Sequence, residues 1–129
     1  MDQQSLAILK GLVCVAWADG HFAAAERELI EALIQTFGAS PSEALEVRTF
    51  SDSPRTLNDV PIHELSYNDR RVLLTQAVIL SFVDGAQTDH ERKLIDDLCR
   101  VLRIPAIEAA GIVKAAEEQA NALAPLLKK

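Results

Sequence analysis

Two segments of the sequence combine an Asp-Gly pair with a glutamate seven residues after the aspartate. They are Asp19-Gly20…Glu26 and, in the second half of the chain, Asp84-Gly85…Glu91. Carboxylate oxygens are the ligands that hard divalent cations prefer in proteins. A helix that ends at such a glycine also points its last carbonyl oxygens into the turn. The two segments therefore predict a divalent-cation site of modest affinity, completed by water, with Asp19, Glu26, Asp84 and Glu91 as metal ligands.

The similarity between the two segments extends beyond these acids. When Asp19–Leu33 is aligned with Asp84–Leu98, seven of fifteen positions carry the same residue. The repeated leucines and isoleucine suit any helical core, whereas packing alone does not require the repeated Asp, Gly and Glu. If an approximate twofold brings the segments together, four carboxylates share one face, which raises their pKa values or recruits a cation. Asp89 is an accessory ligand, and the pattern does not choose among calcium, magnesium, manganese and zinc.

An EF-hand is the first specific interpretation to exclude. In its loop, Asp-Gly occupies positions 5 and 6 and a bidentate glutamate occupies position 12. Positions 1 and 3 must supply oxygen, but here they would be Val15 and Trp17 in one segment and Leu80 and Phe82 in the other. The sequence therefore excludes a working EF-hand.

A purely structural interpretation explains the same residues. Gly20 and Gly85 can close a helix with positive φ, and the aspartates can bond their own turn backbone. A glutamate in the first turn of the next helix is favoured by the helix dipole. The segments are then helix terminators with no metal site, and the sequence leaves this alternative open.

Signatures of catalysis are missing. The sequence has no glycine-rich phosphate loop, nucleophile elbow, His-Glu-x-x-His motif or credible Cys/His pair. His21, His63 and His90 do not form a convergent ligand set of the kind that zinc needs, and we expect His21 and His90 to be exposed polar residues. We therefore expect a protein that is not an enzyme, with a metal-dependent hydrolase built on the carboxylates as a third alternative.

Composition and charge limit the class of partner. The chain has 129 residues, enough for one domain with a real core, and a net charge of −6. Because nucleic-acid binding normally needs a basic face, it is disfavoured. The first residues lack the basic segment of a signal peptide, and the longest apolar run, 72–83, is too short to span a membrane. We expect a soluble cytoplasmic protein without membrane insertion, in which Cys14 and Cys99 are free thiols.

Six helices are needed to position the two segments. The apolar spacing and capping residues predict three helices in the first half of the chain: Gln3 to Ala18, Ala24 to Phe37 and Pro41 to about Arg48. They predict three more in the second half: Tyr67 to Val83, a helix that a capping box at Thr88-Asp89-His90-Glu91 opens and that runs to Leu102, and Pro105 to about Leu123. A short helical turn is expected near Val60–Leu65. The helix that ends at Val83 is apolar nearly all round, so it should lie at the centre of the core.

These elements predict an all-α fold in a single domain, 1–129. It is a compact bundle of about six to seven helices, built from two related three-helix repeats at about 3–49 and 67–123. A linker at about 50–66 joins the repeats, and an approximate internal twofold relates them.

The doubled motif resembles the TerB family of tellurite-resistance proteins. The resemblance rests on Ala18-Asp19-Gly20…Glu26…Leu29-Ile30 and its echo Asp84-Gly85…Glu91…Leu94-Ile95, and it covers roughly residues 3–120. A related domain occurs in membrane-anchored DnaJ-type co-chaperones. The resemblance implies a two-part helical bundle, an acidic cluster proposed to bind divalent cations, and a link to tellurite or other chemical stress. This chain departs from the family at residues 23–25, all alanine, where a polar cap is common.

The resulting hypothesis is a non-enzymatic, cytoplasmic TerB-like domain that binds or senses a divalent cation and works through protein partners. The sequence does not identify these partners, and a homodimer is one arrangement it allows. The main alternative is a structural protein–protein interaction module whose Asp-Gly turns only end helices.

Overall fold

The all-α prediction is confirmed by a computed structural model that describes residues 3–18, 24–82 and 89–127, with side chains described as far as 122. Within these ranges the chain forms six α-helices, two 3-10 turns and no β-strand. The α-helices are α1 (Gln3–Trp17), α2 (Ala24–Thr36), α3 (Pro41–Ser51), α4 (Tyr67–Ser81), α5 (Asp89–Val101) and α6 (Ala106–Leu127). None of the helices in the described part of the chain combines the length and apolarity that a membrane crossing needs.

Capping residues fix where α3 and α4 begin. The Ser40 backbone N–H donates to the Glu43 carboxylate at 2.8 Å, and the Glu43 N–H donates to Ser40 Oγ at 3.2 Å. Ser66 and Asp69 make the same reciprocal pair at the start of α4, with both distances 3.1 Å. Each pair satisfies two backbone donors that a helix N-terminus otherwise leaves open. The predicted capping box at Ser40 is therefore confirmed, whereas the one predicted at Thr88 lies outside the described residues.

Two helix ends differ from the sequence prediction. The third helix was predicted to end near Arg48, but α3 continues to Ser51. Its last turn is held by the core, because Ser51 is buried and its carbonyl oxygen accepts a hydrogen bond from the Trp17 indole. At the other end of the chain, α6 reaches Leu127 and not Leu123. The end of α2 agrees with prediction, since Gly38 follows it with a φ of 70°.

The linker is more ordered than the sequence indicates. It contains two 3-10 turns, Leu57–Asp59 and Ile62–Glu64, of which the sequence predicts only the second. The first turn begins at Thr56, whose backbone N–H donates to the Asp59 carboxylate at 2.9 Å. Val60 and Leu65 are both buried, so the linker closes one side of the core.

The core is centred on α1 and α4, which pack against each other. α4 has seven buried residues, as expected from its nearly continuous apolar sequence. The two helices approach so closely that a Cβ placed on Gly11 would lie 2.6 Å from a terminal carbon of Leu73. α2 and α3 pack on α1, while α5 and α6 pack on α4.

The order and lengths of the helices are similar in the two halves. α1 and α4 each have 15 residues, and α2 and α5 each have 13. α3 and α6 differ, with 11 and 22 residues. The division into two related repeats and the approximate internal twofold stay predictions.

Candidate functional site

The predicted metal ligands divide into two groups. Asp19 and Asp84, together with the turn glycines Gly20 and Gly85, lie outside the described residues. Glu26, Glu91 and Asp89 lie within them. The geometry of the site can therefore be built from its glutamates, which belong to the helices that follow each Asp-Gly pair.

Glu26 and Glu91 occupy equivalent places in α2 and α5. Each is the third residue of its helix and is half-buried. Both side chains line one cavity of about 20 Å³. The fold thus brings together two carboxylates that come from opposite halves of the sequence.

The other walls of the cavity are mainly apolar. They come from the last turns of α1 and α4 and from the first half of α5: Val15, Leu80, Ser81, Leu94 and Ile95. The Ser81 hydroxyl donates a hydrogen bond to the Val78 carbonyl oxygen at 2.6 Å. The sequence argument used Val15 and Leu80 only to exclude an EF-hand and did not assign Ser81 to the site. One sequence feature could have assigned Val15 and Leu80 to the site: each precedes the aspartate of its segment by the same number of positions.

The size of the cavity limits what it can hold. A water molecule needs at least about 10–15 Å³, so 20 Å³ admits roughly one water molecule or one bare ion. Within residues 3–18, 24–82 and 89–127, no group of three or more His, Cys, Asp or Glu residues is placed to hold a metal ion. A ligand set with three or more such side chains would therefore need residues beyond these ranges.

Asp89 and the described histidines are not among the residues that line the cavity. Asp89 is exposed at the start of α5 and is not among the described residues that line the cavity. His63 and His90 are also exposed. The position of His90 agrees with the expectation of an exposed polar residue, whereas His21 lies outside the described residues.

A second property of the glutamates concerns helix starts. Glu43 and Asp69 are the third residues of α3 and α4, and each accepts a hydrogen bond from the backbone of its N-cap residue. Glu26 and Glu91 hold the same position in α2 and α5. Acidic groups here interact favourably with the helix dipole. All four helices therefore begin with a carboxylate that is suited to stabilise the helix itself.

The two thiols are free, as expected. Burial, reinforced by the negative charge of Asp59, raises the pKa of Cys14 to about 12. Burial and the nearby Asp96 also raise the pKa of Cys99, which is half-buried. Neither thiol has the lowered pKa of a nucleophilic cysteine.

Comparisons with protein-family models, with curated proteins and with solved structures give no match to this chain. The resemblance to the TerB family therefore rests on the doubled sequence motif alone.

Proposed function

We propose that this chain is a non-enzymatic TerB-like domain that binds one divalent cation between Glu26 and Glu91 and acts through protein contacts. The proposal depends on one observation: glutamates from two helices line the same small cavity. Carboxylate oxygens are the ligands that hard divalent cations prefer in proteins, and two of them from different helices can be shared by one ion. Oxygen ligands of this kind suit calcium, magnesium or manganese better than softer metals.

In this proposal the remaining ligands come from the Asp-Gly pairs. Asp19 follows the end of α1 by two residues, and Asp84 follows the end of α4 by three. Val15 and Leu80, near those helix ends, already contact the cavity. Asp19 and Asp84 would add two carboxylates, and water would complete the coordination.

The cellular role follows from the resemblance and is part of the same proposal. A TerB-like domain would act in the cytoplasm in the response to tellurite or another chemical stress. It would contribute a cation-dependent surface and no reaction of its own. Its partners would be proteins that distinguish the cation-bound from the cation-free form.

A structural interaction module is the second candidate, and the helix starts favour it. Glu43 and Asp69 act in capping boxes at the same helical position that Glu26 and Glu91 occupy. If all four acids only stabilise helix N-termini, no cation is needed. The two candidates differ in whether the fold responds to metal.

Thermal melts of chelator-treated protein, alone and with excess calcium, magnesium, manganese or zinc, test the proposal. A cation at 100 times its dissociation constant stabilises the fold by roughly 2.7 kcal/mol. For a domain of this size, that is a rise in Tm of several degrees. The double variant Glu26→Gln/Glu91→Gln should lose most or all of the rise, because an uncharged amide oxygen binds a divalent cation much more weakly than a carboxylate does.

A matched control separates ligand loss from a general change of charge. Glu28→Gln/Glu118→Gln removes the same charge from two exposed positions. This variant should respond to the cation as the wild type does. An unchanged Tm with all four cations would reject the metal site and leave the structural module.

A further inference from the structure

We draw no further inference here: the strongest candidate, the groove of about 900 Å³ between α5 and α6, carries no proposal, because its middle is apolar and nothing in the described part of the structure shows what covers it.

Discussion

The indole Nε1 of Trp17 donates a hydrogen bond of 2.9 Å to the backbone carbonyl oxygen of Ser51. This bond joins the last residue of α1 to the last residue of α3. The bond holds the C-terminal end of α1, the helix that precedes the first Asp-Gly pair, against the end of α3. The position of that helix end is thus set by a contact 34 residues away.

Trp17→Phe should destabilise the protein by about 1–3 kcal/mol, because the Ser51 carbonyl oxygen loses its donor in a partly buried place. Urea unfolding followed by far-UV circular dichroism measures the effect, since the variant lacks the only tryptophan. An unchanged unfolding midpoint would show that water replaces the indole without cost.

Gly11→Ala should destabilise the fold. The added Cβ would lie 2.6 Å from Cδ2 of Leu73, which is fully buried. Overpacking of this kind costs about 1–3 kcal/mol, more than the gain of roughly 1 kcal/mol in helix propensity.

Gly111→Ala is the matched control for Gly11→Ala. Gly111 lies in α6, and a Cβ there meets nothing within 4 Å. The substitution should therefore stabilise the protein by about 0.5–1 kcal/mol. Equal effects of the two substitutions in urea unfolding would contradict the close packing of α1 and α4.

The ion pair between α2 and α3 should make stability depend on pH. Hydrogen bonds from Arg48 lower the pKa of Glu31 below its ordinary value of 4.5. A lowered pKa in the folded state adds stability above pH 4.5, which is lost as the pH falls through the folded value. Arg48→Gln should therefore destabilise the protein at neutral pH, and the difference from wild type should shrink in acid. If the stability difference between wild type and Arg48→Gln stays constant until Glu31 is fully protonated, the ion pair does not contribute to the pH dependence.

Cys14 should make the stability of the fold fall as the pH rises, which is opposite to the effect of Glu31. Its pKa is 9.0 when exposed and about 12 in the folded protein, mainly because of burial. The folded state therefore retains a proton that the unfolded state loses, and stability falls as the pH rises above 9.0. Cys14→Ala lacks this loss, so the stability difference between wild type and variant should narrow above that pH. Urea unfolding on both sides of pH 9.0 measures the change.

A double-mutant cycle on Glu26 and Glu91 should show whether a bound cation couples them. With saturating cation, losing either carboxylate weakens the binding of the shared ion, so the stability lost in the double variant should be less than the sum of the two single losses. Coupling energies between neighbouring residues are about 0.5–3 kcal/mol, and the coupling should be larger with the cation than in chelator. Glu28 and Glu118, which are both exposed, should give additive effects within about 0.5 kcal/mol. Additivity at Glu26 and Glu91 in both conditions would favour their role in helix starts.

Local sequence signals predict much of this fold. Ser40 and Pro41 mark the start of α3, and the apolar run of α4 indicates its central place. These features depend on residues within one helical turn or on one helix alone. The end of α3 is not predicted, because it depends on a hydrogen bond from Trp17, which is distant in sequence.

The candidate sites are also hard to predict from the sequence, because they depend on contacts between residues that are distant along the chain. The repeated position of Glu26 and Glu91 indicates equivalent roles, but their meeting at one cavity depends on how α1 and α4 cross. A groove between α5 and α6, lined by Ile104, Ala109 and Val113 among others, also leaves almost no trace in the sequence. Its shape comes from the separation of two helices that both pack on α4, which no local pattern specifies.

The crossing of α1 with α4 also sets the order in which the chain can fold during synthesis. Gly11 leaves the ribosome long before Leu73, its closest neighbour across the core. At about 5–20 residues per second, the apolar face of α1 waits several seconds for its partner. During that interval the surface of α1 that packs on α4 has no partner. The central helix pair that stabilises the finished protein thus cannot form until the second half of the chain has been made.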